Sequence, residues 1–323
     1  MTMRNRVRLT ALIAALPFAA LAQDAAGWPT RPVRLIVPFA PGGATDAMAR
    51  MLAQRMTLVW KQPVIVDNKP GAGTVIGTDA VAKAAPDGYT LGLVVSAHTI
   101  NPSLRSKLPY DTLKDFAPVT QIGVQHMVIA ANPSFPANNM AELIALAKKE
   151  PGKISYATSG AGTALHLGTE LLKSKAGIDI VHVAYKGGAP AQQDVIGGQV
   201  PLLLDIYFST SQFIKSGKLK AIAMLSPQRA AAAPNIPTVA ETVPGVSALS
   251  TMGIIAPAAT PRGIVAKASA DLVKVIRSPE FSEHLQAIGV DPVGSTPEEY
   301  DSMIRADIAK WAPVVKASGA SAD

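Results

Sequence analysis

The sequence predicts an α/β protein of two lobes, with mostly parallel sheets covered by helices and a ligand cleft between the lobes. Three observations carry this. Short apolar runs alternate with helix-period segments along most of the chain. A length of 323 residues is more than one hydrophobic core ordinarily serves. From Thr260 onward the pattern turns helical, with no further long strand. A chain that builds one α/β lobe, builds a second, and then returns helices to the first leaves a cleft between them.

The first 22 residues differ in kind from the rest. Arg4, Arg6 and Arg8 precede the apolar run Leu9 to Ala19, and Ala20-Leu21-Ala22 stands before Gln23. This is the pattern of a secretory signal peptide cleaved after Ala22, too short in its apolar core to remain as a membrane anchor. Its removal leaves 301 residues and lowers the formal net charge from +7 to +4, because it holds three arginines and no acid. The remaining Lys and Arg are scattered among few aromatics, which argues against nucleic acid as a partner, and the mild positive charge favours small anions. The absence of cysteine excludes disulfides and a lipid-modified N-terminal cysteine. The expected location is the periplasm, as a free monomer.

Along the mature chain, strands are predicted at 34–39, 64–67, 91–96, 127–131, 178–184, 200–206, 219–225 and 252–256. Helices are predicted at Ala44–Leu58, Thr74–Ala85, Met140–Lys149, Ala164–Lys175, Pro190–Ile196 and Phe208–Lys215. Three more start at Thr260-Pro261, Ser278-Pro279 and Thr296-Pro297, since proline suits a first helical position and Thr296 with Glu299 makes a capping box. The proline-rich stretch Pro227 to Pro244 lacks periodicity and reads as a connecting segment.

The stretch Val37-Pro38-Phe39-Ala40-Pro41-Gly42-Gly43-Ala44-Thr45-Asp46 runs from a strand through a glycine pair into a helix that Thr45 or Asp46 can cap. Such a turn aims unpaired backbone N–H groups and the positive end of a helix dipole at one point, which suits an anion. It serves a plain strand-to-helix connection equally well. Ser96-Ala97-His98, Ser159 to His166 and Tyr185 to Pro190 repeat the arrangement, and in an α/β sheet the ligand crevice lies at such turns. Gly71-Ala72-Gly73-Thr74-Val75-Ile76-Gly77 has neither the spacing nor the place of a dinucleotide fingerprint and reads as a helix-opening loop. Ser159 and His166 suggest a nucleophile and its base, but no Gly-x-Ser-x-Gly elbow or identified acid accompanies them. The five histidines lack metal-ligand spacing. Asp205, an acid inside the apolar run Leu202 to Tyr207, needs a partner, either structural or in a ligand.

Several segments together resemble a known family. They are Trp28-Pro29 with Arg31-Pro32, Pro38-Phe39, Pro41-Gly42-Gly43 with Asp46, Val66-Asp67-Asn68-Lys69-Pro70-Gly71-Ala72-Gly73, Ala85-Pro86-Asp87-Gly88-Tyr89-Thr90, Tyr185-Lys186-Gly187-Gly188, Gly198-Gln199-Val200, Pro237-Thr238-Val239-Ala240-Glu241 and Ala256-Pro257. In this order they resemble the Bug/TctC receptors of tripartite tricarboxylate transporters. The resemblance implies a type II periplasmic-binding-protein fold that closes on a small carboxylate and delivers it to membrane permease subunits, with no cofactor, metal or catalysis. It places ligand contacts at Phe39, Gly42, Gly43, Ala44, Asp46, Ser96, Ala97 and His98 in the first lobe. In the second it places them at Ser159, Gly160, Thr163, Ala164, His166, Tyr185, Gly187 and Asp205. The lobes are expected at 23–125 plus 244–323, and 126–243. Thr251 departs from the aromatic that relatives often carry two residues before the glycine. A sensor that hands its closed form to a membrane histidine kinase, and a secreted hydrolase using Ser159 and His166, are the alternatives.

Overall fold

The computed structural model describes residues 27–318 and 320–322, so the expected signal peptide and its cleavage point lie outside the described residues. The chain begins with β1 (Val33–Val37), α1 (Ala44–Trp60), β2 (Val64–Asn68), α2 (Val75–Ala82), β3 (Thr90–Val95), α3 (Ala97–Leu104) and β4 (Phe116–Gln125). After His126 come β5 (Met127–Ala131), α4 (Met140–Lys149), β6 (Ser155–Thr158), α5 (Ala164–Ala176), β7 (Val181–Ala184), α6 (Gly188–Ile196), β8 (Leu202–Ile206), α7 (Tyr207–Lys215) and β9 (Lys220–Met224). An irregular stretch, 225–249, leads back to β10 (Ser250–Pro257), α8 (Arg262–Ile276), α9 (Pro279–Ala287), β11 (Val290–Pro292) and α10 (Pro297–Ser318).

Among the described residues the strands form two sheets, in the orders β11-β4-β10-β3-β1-β2 and β7-β6-β8-β5-β9. The sheets are mixed, where mostly parallel ones are predicted. β1 pairs in parallel with β2 and β3, and β6 with β7 and β8. β10 and β11 pair antiparallel in the first sheet, and β5 pairs antiparallel with β8 and β9 in the second. The cause is the passage between sheets. Parallel neighbours need a crossover helix, and β5 and β10 enter their sheets straight from the other lobe. Only His126 separates β4 from β5.

Four elements escape the sequence pattern, the shortest of them the three-residue β11. β4 contains Pro118 and Gly123, which read as breakers, and its register with β10 shifts opposite Pro118. β6 is four residues long and half of it is Ser and Thr. α3 carries Pro102. The capping box of α10 is present, with Thr296 N–H donating to Glu299 and Glu299 N–H to Thr296. At α1 the N-cap is Gly43 rather than Thr45 or Asp46.

α1 covers the first sheet with Met48, Leu52 and Met56, each at most 1% exposed. Such burial stabilises by about 2 kcal/mol per side chain. The tail helices are predicted to return to the first lobe. α8 lies against α1 and β4 and α9 against β11, whereas α10 packs on α3 and β4 and also on α5. Its Trp311 and Val315 join a core that includes Met127 and Leu165 of the second lobe. α10 therefore ties the lobes together. Its Tyr300 ring lies over Gly253 of β10, where a Cβ would overlap it. Gly253→Ala should therefore cost about 1–3 kcal/mol by overpacking. An unchanged denaturation midpoint would contradict this seat for α10.

Candidate functional site

Four strand-to-helix turns, two from each lobe, meet at a cavity of about 210 Å³. They supply Pro38 and Phe39 after β1, Gly71 to Thr74 after β2, Ser159 to Ala161 after β6, and Ala184 to Lys186 around the end of β7; Arg105 completes the lining. Helices α1, α2, α5 and α6 begin from these turns, so four positive dipole ends are directed to one region. Among the described residues no carboxylate lines the cavity. A groove of about 640 Å³ between α4, the C-terminal end of α5 and Thr242 to Pro244 is larger, but none of the four turns lines it.

The first turn is held from behind. Gly42 takes φ +90° and donates its N–H to Asp46 Oδ2 at 2.9 Å. Arg50 Nε donates to the same oxygen at 2.9 Å, while Asn68 Nδ2 bonds both Asp46 Oδ1 and the Phe39 carbonyl. Burial raises the Asp46 pKa, but hydrogen bonds from Arg50, Gly42 and Asn68 outweigh it and hold the carboxyl below its usual range. Asp46 is thus an ionised brace of the loop. Gly42 and Gly43 face the start of α6, where a Cβ on Gly43 would lie 3.3 Å from Gly188 N. Across the same seam Ala40 N–H donates to the Lys186 carbonyl at 2.9 Å, and a Cβ on Gly187 would lie 3.1 Å from Ala40 N. Ala44 is buried in the core beside this seam.

The turn after β2 is the one the sequence reads as an ordinary loop. Gly71, Ala72, Gly73 and Thr74 all have positive φ, at 130°, 47°, 58° and 82°. Each non-glycine among them costs on the order of 1 kcal/mol of backbone strain. The conformation is held by Asn101 Nδ2, which donates to the Gly73 carbonyl and Thr74 Oγ1, and by Arg105 Nη2, which donates to the Ala72 carbonyl at 2.9 Å. Gly73 abuts the carbonyl of Ala161 in the other lobe, where a side chain would clash.

The second lobe braces its turns in the same manner. Thr163 caps α5 by accepting from His166 N–H, and donates to the Gly160 carbonyl at 2.8 Å. His166 Nδ1 accepts the Gly162 N–H, and its ring stacks on His182 at 4.1 Å. His182 Nε2 lies 2.7 Å from Thr158 Oγ1, which in turn bonds Gly160. Ala164 is buried in the first turn of α5. No hydrogen bond joins Ser159 and His166 among the described residues, and His166 Nδ1 is already occupied by Gly162, so the nucleophile-and-base arrangement is not assembled here. Tyr185 lines the cavity and donates its hydroxyl to Asp194 at 2.6 Å. Asp205 lies behind α6, accepting from Gln192 Nε2 and Ile206 N–H, and burial pushes its pKa up to about 6.

Of the residues expected at the site, Phe39, Ser159, Gly160 and Tyr185 line the cavity. Gly42, Gly43, Ala44 and Gly187 form the seam beside it. Thr163, Ala164, His166, Asp46 and Asp205 stand behind its walls. Ser96, Ala97 and His98 are buried elsewhere. Ser96 Oγ lies 3.0 Å from Thr251 Oγ1 and accepts the Thr251 N–H at 2.9 Å, so a hydrogen-bonded pair fills the place where an aromatic is expected. His98 packs against Tyr110 and Phe116, and among the described residues neither ring nitrogen has a partner. Sequence reading missed Gly71 to Thr74, Arg105 and Lys186. The glycine spacing at 71 and 73 is the signal that marks the first of these. Among the described residues no group of three His, Cys, Asp or Glu side chains could hold a metal, and no helix is long and apolar enough to cross a membrane.

Two α/β lobes whose strand-to-helix turns enclose an acid-free cavity are the architecture of a solute-binding protein. The family model described as "Tripartite tricarboxylate transporter family receptor" matches residues 48–320, and the chain belongs to that family of periplasmic receptors. It is 38% identical to Protein BugT of Bordetella pertussis over 322 residues, which are 98% of this chain and 99% of that protein. Its structure is similar to that of R. palustris Rpa4515 with adipate, at 33% identity and TM-score 0.89, covering 91% of this chain and 99% of the other. It is likewise similar to MatC (Rpa3494) from Rhodopseudomonas palustris with bound malate, at 30% identity and TM-score 0.84, covering 89% and 100%.

The buried imidazoles set a dependence on pH. Burial lowers the pKa of His98 to about 4. Burial, then the neighbouring His166 and Lys173, lowers that of His182 to about 3, and His166 is lowered in the same direction, chiefly by burial. Below the ordinary value of 6.5 the unfolded chain therefore takes up protons before the native state does, and stability falls with pH. Asp205, raised by burial to about 6, and Asp307, raised chiefly by burial, act in the opposite sense, two groups against three. The melting temperature should drop from pH 6.5 towards 4, and the drop should be smaller in His98→Leu. Calorimetry giving both proteins the same acid slope would contradict this role for His98.

Proposed function

We propose that this chain is the extracytoplasmic receptor for a small carboxylate, which it captures by closing its two lobes and delivers to the permease subunits of a tripartite tricarboxylate transporter. The lobes are 23–125 plus 244–323, and 126–243. They move about the passages at His126 and 225–249. The single observation that carries the reading is the 210 Å³ cavity in which four helix-opening turns meet and, among the described residues, no carboxylate lines the wall. The adipate and malate bound by its structural relatives have the chemistry this wall suits. Phe39, Ser159, Gly160 and Tyr185 are the ligand-facing members of the expected set. The protein acts as a periplasmic monomer after removal of residues 1–22, with no cofactor and no chemistry performed on the ligand.

A native-state ligand raises the melting temperature by mass action. A thermal-shift screen of residues 23–323 against mono-, di- and tricarboxylates should therefore produce a clear shift, with one ligand per chain by calorimetry and no product formed. A flat screen of protein freed from any co-purified ligand, or turnover of the ligand, would contradict the reading.

Gly43→Val gives a second test. The backbone at Gly43 has φ −84°, which valine accepts, but its side chain would meet the Gly188 and Ala189 amides across the seam. The variant should keep its fold and bind its carboxylate at least about ten-fold more weakly, a loss of about 1.4 kcal/mol. Unchanged affinity would remove the seam from the mechanism.

A further inference from the structure

Arg105 and Lys186 are the two cations that line the cavity, and they come from opposite lobes. Arg105 follows the last turn of α3, and Lys186 sits between β7 and α6. Among the described residues neither makes an ion pair. The Arg105 guanidinium donates to the Ala72 and Ala322 carbonyls, and among the described residues its Nε has no partner. Those two bonds fix the plane of the fork and leave N–H groups without an acceptor. A half-buried charge without a counterion is costly, and among the described residues no carboxylate lies in the surrounding wall to offset it.

The turn that carries Lys186 and the turn that Arg105 holds both meet the other lobe across the cleft. Lys186 offers its carbonyl to Ala40 N–H, and the 71–74 turn held by Arg105 abuts Ala161. Bringing the lobes together therefore brings the two residues that carry these charges to one small cavity. A ligand with a single negative charge, gripped by backbone amides, leaves that pair only partly compensated. A ligand with two negative charges offsets both.

We propose that Arg105 and Lys186 are a specificity-determining pair, one from each lobe, that reads the second negative charge of the ligand and makes lobe closure depend on it. This rests on the carboxylate-receptor reading and assigns to two residues the selection between dianions and monoanions. Charge-assisted hydrogen bonds of this kind are strong enough to shift affinity by about ten-fold or more.

Calorimetry with adipate, malate and citrate, set against hexanoate and 2-hydroxybutyrate as monoanions, tests the assignment on the mature chain. The unaltered protein should bind a di- or tricarboxylate at least about ten-fold more tightly than the monoanion of similar skeleton. In Arg105→Gln and in Lys186→Gln that ratio should collapse towards one, while Lys149→Gln, an exposed charge on α4, should leave it unchanged. If Arg105→Gln weakens both classes equally, the arginine only holds the 71–74 turn. The assignment then falls while the receptor reading stands. An unchanged ratio in both cavity variants, or an equal loss in Lys149→Gln, also overturns it. If the unaltered protein binds none of the five anions, the carboxylate reading fails and the assignment falls with it.

Discussion

The hydrogen bond from Ala40 N–H to the Lys186 carbonyl joins the two lobes backbone to backbone, and the geometry of the cleft depends on it. Main chains approach this closely only where side chains are absent. That accounts for Gly43 against Gly188, Gly187 against Ala40 and Gly73 against Ala161. The glycines sit where two lobes meet, and the cavity is the space left when they do. Their role differs from that of a glycine admitting a ligand to the main chain: a substituent here holds the lobes apart.

Around this seam the polar groups divide by position. Main-chain amides and two cations face the cavity, while the acids stand behind it as braces, Asp46 under the first turn and Asp205 behind α6. A carboxylate facing the cavity would repel an anionic ligand; the same group behind a turn orients the amides by accepting from them. His166 and His182 play the corresponding part beneath the Ser159 turn, uncharged because burial disfavours the protonated ring. The site is thus a set of oriented dipoles supported by a second layer of fixed charges and rings, an arrangement that binds anions with little reorganisation.

Much of this was legible in the sequence because it is local. The glycine turns, the apolar runs and the helix starts are set by neighbours a few residues away, and Met140–Lys149 lies where its pattern puts it. What was not legible depends on distant partners. The ladder that makes 116–125 a strand despite Pro118 is supplied by β10, more than a hundred residues later. Arg105 belongs to the cavity because α3 packs its end against the 71–74 turn, which no spacing reveals. His98 reads as a site residue from its place after a strand, yet its ring turns into the core beside Tyr110 and Phe116. The loop at 71–74 differs again: its glycines were visible, but positive φ at Ala72 and Thr74 is imposed by Asn101 and Arg105.

The central claim is that a carboxylate occupies the cavity between the lobes. The most direct measurement is a crystal structure of the mature protein with the carboxylate that most raises its melting temperature. The account predicts one carboxylate group within hydrogen-bond distance of main-chain N–H groups from the turns at 38–43, 71–74 and 159–161, with both lobes contributing. Ligand density confined to the larger groove between α4 and α5, or to one lobe alone, would contradict it.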